Sequence, residues 1–475
     1  MSERLSPVDA SFLSLERDRT PAQIGSLYVL SPPRAGFDYD MLVQLVEQRI
    51  SQVPRYRQKV RNVPGGIARP VWVDDNDFDI SFHVRRSALP APGNDAQLYE
   101  LVSRLLSRRL DRSRPLWEMY LVEGLAKGRF AVISKTHQAM VGGVGAPSMG
   151  QVIFDDTRRA RVTRGELWMP SAEPGAVRLL AGALTGMLQR PVEVVDAVRW
   201  VARDATAAVS NLAAAAGNVS SALQRAVRPA PPSPLNVAIS RQRRFAVART
   251  RLADYRAVRS ARGGEVNDVV LAVVTGALRS WLLARGEAMT LEATVRALAP
   301  MAVTAENGDV AGAGAGGMPD SRAFSFFIDL PVGEPNPLAR ISRIAHATKA
   351  HESKAGSASH RQVGADTLTH LSGFAPPTLH AMGARVAGSL MCRSFNVLIT
   401  NVPGPQQPVY AAGARMLEMF PVVPLTRNQA LSVGLTSYDG GVFYGLNADR
   451  DAMPDIEMLA RLIEKALDEL VQAVQ

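Results

Sequence analysis

The densest chemistry in this 475-residue chain lies where an apolar run ends in Lys135-Thr136-His137-Gln138-Ala139-Met140-Val141-Gly142-Gly143. An imidazole exchanges a proton near neutral pH, so His137 has two open readings, a catalytic acid–base group or a satisfied packing residue at a strand end. Gln138 carries an amide with no titratable proton in that range; it can orient a hydroxyl but not deprotonate it. Gly142 and Gly143 allow the backbone to turn away from the strand. Elsewhere His83, His346, His351, His360, His370 and His380 show no pairing at metal-ligand spacing, so no metal site is expected. Cys392 is the only cysteine, which excludes an intramolecular disulfide and fits a reducing compartment. There is no G-x-S-x-G elbow and no P-loop, and Gly263-Gly264 lacks the strand-to-helix setting of a dinucleotide site.

Two predicted strands must hold the motif. Leu116–Val122 and Phe130–His137 are joined through the turn Gly124-Leu125-Ala126-Lys127-Gly128. If the second strand continues through the motif, side-chain alternation sends residues 137 and 138 to opposite faces. Helices are predicted over Tyr39–Ile50 and Asp95–Leu110, the latter capped by Asn94 or Asp95. Between about 170 and 235 the chain becomes alanine-rich and helical, over Gly175–Leu188 and Val192–Leu223, and then stiffens through Arg228-Pro229-Ala230-Pro231-Pro232-Ser233-Pro234. Beyond it come a strand at Phe245–Leu252, a helix over Asn267–Ala284 and a Gly/Ala-rich loop at Asn307–Met318. Three strand-like runs, Asn396–Thr400, Ala430–Ser437 and Gly441–Leu446, precede a closing helix over Pro454–Val474. The pattern is α/β or α+β in two halves: residues 1–165, a crossover with linker at 166–235, and 236–475.

Composition bounds the setting. Hydrophobic content of 47% and charged content of 21% describe a globular protein, and the length calls for more than one core. The net charge of +10 is almost all arginine and suits phosphates or anionic headgroups. No basic stripe interleaved with aromatics is present, so nucleic acid is not an expected partner. No leader-like apolar segment and no uncharged apolar run of spanning length is visible; membrane contact is expected to be peripheral.

The motif and its surroundings resemble the bacterial wax ester synthase/diacylglycerol acyltransferase family. Leu5-Ser6-Pro7-Val8-Asp9-Ala10-Ser11-Phe12-Leu13 is similar to its opening signature, and Pro54-Arg55-Tyr56-Arg57-Gln58-Lys59 and Phe78–Arg85 follow it. Pro115-Leu116-Trp117 matches its Pro-Leu-Trp motif. Val266-Asn267-Asp268 matches its Asn-Asp motif, and Thr400-Asn401-Val402-Pro403-Gly404-Pro405 resembles its Ser-Asn-Val-Pro-Gly-Pro segment, with Thr400 for the serine. The family carries His-His-x-x-x-Asp-Gly at the motif. His137 and Gly143 match its first histidine and final glycine, whereas Gln138 stands at the general base and Gly142 at the aspartate. Gly145 in place of a serine, Pro147, and Thr304 in place of an arginine are further departures near the same centre.

The resemblance implies two chloramphenicol-acetyltransferase-like mixed-sheet domains facing across a central tunnel, with a helical crossover. It implies transfer of a fatty acyl group from acyl-CoA, a co-substrate rather than a bound cofactor, to diacylglycerol or a long-chain alcohol, at weakened or altered efficiency. The alternative is a non-catalytic lipid or acyl-CoA binder, or a regulatory partner. His137 and Gln138 become the candidate catalytic pair. Gly142, Gly143, Pro115, Leu116, Trp117, Asn267 and Asp268 become substrate-binding candidates, against the plainer readings of a core tryptophan for Trp117 and a helix cap for Asn267 and Asp268. The implied location is the cytoplasm, with peripheral association with the inner membrane or lipid droplets.

Overall fold

Apolar runs separated by a glycine turn pair with each other, and the first sheet grows from that hairpin. A computed structural model describes residues 3–141, 149–161, 168–188, 229–302, 323–356 and 392–475. In it Trp117–Glu123 and Phe130–His137 are antiparallel, in register from Trp117↔Thr136 to Val122↔Ala131. Gly124 has φ +79, and a β-carbon there would press on the Leu89 carbonyl, so the turn requires glycine. Val84–Ala88 adds in parallel on one side, and Gln23–Ser31 adds antiparallel on the other.

The next strand comes from far along the sequence. Ala414–Val422 pairs antiparallel with Gln23–Ser31, with a bulge between Met416 and Glu418, and Tyr410–Ala411 finishes the edge. The motif-bearing sheet is therefore six-stranded and closed by a segment of the second half. A second six-stranded sheet runs Ala323–Leu330, Val295–Ala302, Val397–Pro403, Leu431–Tyr438, Gly441–Asp449, Arg243–Arg251. A three-stranded sheet of Glu3–Arg4, Val71–Asp74 and Gln58–Arg61 lies apart. The molecule is a mixed α/β protein with two sheet-centred cores.

The predicted helices form with shifted ends. Tyr39–Arg49 is capped by Asp38, which accepts from the Met41 amide at 2.9 Å. Asp95–Ser107 carries a reciprocal capping box between Asn94 and Gln97 and stops three residues before Leu110. The helix predicted from Asn267 runs over Val266–Ala284, with Glu265 as its cap residue. Asn267 is therefore inside the helix, a correction to its expected capping role. The cause is Asp268, whose Oδ2 accepts the Glu265 N–H at 3.0 Å and satisfies the helix start one turn earlier. Among the described residues this helix is the one long and apolar enough to cross a membrane, and most of it is buried in the second core. The expected elements at Val192–Leu223 and Asn307–Met318 lie outside the described residues.

Candidate active site

The motif strand ends at His137, which stands opposite Gln23 and donates its N–H to the Leu116 carbonyl at 3.0 Å. Gln138 opens a short helical turn, Gln138–Val141, and its N–H goes to the Ala22 carbonyl at 2.8 Å. The chain has left the strand at Gln138, so side-chain alternation ends at His137. A turn rather than a pleat decides where Gln138 lies.

His137 is 1% exposed. Its Nδ1 accepts the Ala139 N–H at 3.1 Å, which assigns the neutral ring's proton to Nε2. That Nε2 lies 3.8 Å from Glu16 Oε1, beyond hydrogen-bond range, and has no hydrogen-bond partner. Burial pushes the imidazole down to about 4; Glu16 opposes the shift, while Arg112 and Arg109 reinforce it. The ring is neutral at physiological pH, and its one lone pair is already engaged.

Glu16 is the residue that sequence reasoning passed over. It caps the C-terminus of the helix Pro7–Leu15, and its carboxylate is buried. Oε2 accepts from Arg109 at 3.0 Å and from Arg112 at 2.5 Å, and Oε1 accepts the Ala22 N–H at 3.3 Å. Burial alone would raise the Glu16 pKa, but the bonds from Arg112 and Arg109, with the nearby His137, outweigh it and hold the carboxyl below its usual range. A cavity of about 350 Å³ opens beside it, with Leu13, Ser14, Glu16, Arg69, Arg112 and Leu116 in its wall.

Pro115, Leu116 and Trp117 are all buried. Leu116 reaches the cavity wall and holds the His137 N–H through its carbonyl. Trp117 stacks on His83 at 4.7 Å between ring centroids and donates its Nε1–H to the Tyr56 carbonyl at 2.7 Å. The Tyr56 hydroxyl accepts the Met149 N–H at 3.0 Å, holding the short helix Met149–Val152. A buried ion pair, Arg49 to Asp155 at 2.9 Å, anchors the same segment, and Asp155 also exchanges both backbone bonds with Tyr410. Nothing in the local pattern signals this pair, since Arg49 and Asp155 come from distant parts of the chain.

Asn267 and Asp268 sit in the second half. The Asn401 amide donates to Asn267 Oδ1 at 3.5 Å, and Asp268 is buried with Oδ1 unpartnered. Gly142 and Gly143, with the departures at Gly145, Pro147 and Thr304, lie outside the described residues. Among the described residues no group of three His, Cys, Asp or Glu side chains gathers for a metal.

The chain is similar to known proteins along nearly its whole length. The model of the wax ester synthase/diacylglycerol acyltransferase catalytic domain matches residues 5–270, and that of the family's C-terminal domain matches residues 322–471. A probable diacylglycerol O-acyltransferase of Mycobacterium tuberculosis is 51% identical over 261 residues, 55% of this chain and 96% of its own. A second from that organism is 34% identical over 469 residues, 98% of this chain and 95% of its own. Among solved structures, the wax ester synthase/diacylglycerol acyltransferase from Marinobacter aquaeolei VT8 superposes with a TM-score of 0.67 at 27% identity, covering 99% of both chains. With both family domains present in order and full-length relatives above 30% identity, the chain belongs to the wax ester synthase/diacylglycerol acyltransferase family.

Proposed function

We propose that the protein transfers a fatty acyl group from acyl-CoA to the hydroxyl of diacylglycerol or a long-chain alcohol, and does so by positioning rather than by general-base catalysis. The observation that carries this reading is the anchored turn at Gln138. The backbone at the reaction centre is held at His137, Gln138 and Ala139 although the side chain at 138 is an amide. Gln138 hydrogen-bonds and orients the acceptor hydroxyl, and His137 supports the turn. Gly142 and Gly143 are kept as substrate-binding residues on the resemblance alone, and Pro115, Leu116, Trp117, Asn267 and Asp268 shape the substrate path. No resident cofactor or metal takes part; coenzyme A leaves as the free thiol. Loss of a general base lowers rates by about 10² to 10⁴, so turnover is slow. The enzyme works in the cytoplasm, associating peripherally with the inner membrane or lipid droplets. The net charge of +10 and the exposed Met169 and Val177 support that setting.

The test is release of free coenzyme A from a long-chain acyl-CoA in the presence of diacylglycerol or hexadecanol. Turnover above background that rises about 10²-fold or more in Gln138→His with Gly142→Asp is the expected result. A second reading, an acyl-CoA binder without turnover, is favoured by the amide at 138. Background-level release by the parent, with saturable acyl-CoA binding, would establish it.

A further inference from the structure

The N–H groups of His137, Gln138 and Ala139 are all held, and the partners of the last two, Ala22 and the His137 ring, both face one carboxylate. Gln138 N–H is held by the Ala22 carbonyl at 2.8 Å, and the N–H of that same Ala22 is held by Glu16 Oε1 at 3.3 Å. Ala139 N–H is held by His137 Nδ1 at 3.1 Å, which is possible only while the imidazole proton stays on Nε2. The Nε2 side of the ring faces Glu16 Oε1 at 3.8 Å. The charged groups around the ring are Glu16, Arg109 and Arg112, and Glu16 is the one anion among them. Glu16 itself cannot wander, because Arg109 and Arg112 grip its other oxygen.

We propose that Glu16 is a positioning residue for the reaction centre: its carboxylate holds the amide of Ala22, and through it the backbone at Gln138, and its charge beside Nε2 favours the Nε2–H tautomer of His137 that the Ala139 N–H requires. The first histidine of the motif then acts as a side-chain cap on the turn, comparable to an N-cap residue accepting a helix amide. Its partner comes from the C-terminus of the first helix rather than from the motif. A second consequence follows for the acyl-transfer reading, on which only the kinetic arm of the test rests. A base installed at position 138 is useful only while Glu16 holds the turn.

Histidine-selective ¹⁵N labelling of the full chain, with two-bond imidazole correlations, reads the tautomer directly; His137→Gln identifies the His137 signal by its loss. The expected result is an Nε2–H ring in the parent and a shift towards the Nδ1–H form in Glu16→Gln. An unchanged pattern in Glu16→Gln overturns the proposal. In the kinetic arm, Glu16→Gln added to Gln138→His is expected to lower kcat by about ten- to a hundredfold, with KM moving by less than about threefold. Unchanged kcat overturns the proposal as well. If Gln138→His transfers no acyl group at all, the enzyme reading fails, while the imidazole spectra still decide the role of Glu16. Should Glu16→Gln not fold, Glu16→Asp retains the charge opposite both arginines. One methylene shorter, it is expected to fold and to cut kcat of Gln138→His by a smaller factor; a kcat equal to that of Gln138→His alone overturns the proposal.

Discussion

Acid acts on this fold through a buried ring. In an unfolded chain a histidine takes up its proton near pH 6.5, whereas His137 in the folded protein resists until about 4. The folded state therefore binds fewer protons across that window, and stability contributed by the neutral ring is present above pH 6.5 and lost as pH falls towards 4. A shift of that size corresponds to at most about 3 kcal/mol. His83, also pushed down by burial, adds to the same trend. Urea unfolding at pH 7.5 and 5 should show the loss, and His137→Gln should flatten the slope by removing its larger contributor; an equal slope in parent and variant would contradict it. At this scale the sequence draws attention to His137 and Gln138 and leaves Glu16 unmarked. His137 and Gln138 stand out because histidine is scarce in the chain and the pair sits in a familiar motif. Glu16 does not, because its partners Arg109 and Arg112 lie 93 and 96 residues away, and no local periodicity reports such a contact.

Elements with local logic were readable. The hairpin through Gly124 and the helices Tyr39–Arg49 and Ile456–Val474 follow from turn chemistry and a single-faced apolar pattern. Two strands set by distant partners were not, although Arg243–Arg251, also paired far along the chain, was. Gln23–Ser31 is buried along most of its length, so it lacks the alternation of a half-exposed strand, and Ala414–Val422 loses its period at the bulge. Helix packing in the second core gives a test of the assignment. A β-carbon on Gly276 would stand 2.8 Å from Arg340 Nη1 and 3.2 Å from Ala466 Cβ, so three helices meet at a position kept small. Arg340 is itself buried and paired with Glu469 at 3.0 Å, and it has little room to withdraw. Gly276→Val should destabilise the protein by about 1–3 kcal/mol in chemical denaturation, through overpacking rather than loss of helix propensity. Wild-type stability in that variant would mean the three helices do not close on Gly276.

Across the whole molecule, one arginine fastens elements of both sheets. Arg249, on the strand Arg243–Arg251, bonds both oxygens of Glu418 at 2.6 and 2.9 Å, and its Nη2 also meets the Tyr99 hydroxyl at 2.9 Å and Asp95 at 3.2 Å. Its backbone N–H is taken by Glu464 from the closing helix at 3.0 Å. Arg249 and Asp95 are more than a third exposed, so screening limits the gain. Arg249→Ala should cost about 1–2 kcal/mol, with a smaller difference from the parent at high salt. A cost that does not change with salt would point to lost packing on Phe420 instead. The strand that Arg249 grips has one more consequence, for how the protein is made. Gln23–Ser31 leaves the ribosome early, yet its partner Ala414–Val422 is among the last segments to emerge. At about 5–20 residues per second, the nascent chain presents that strand as an open edge for roughly 20–80 s. An edge of this kind is a template for pairing with other extended chains, so the nascent protein is exposed to mispairing until translation passes Val422.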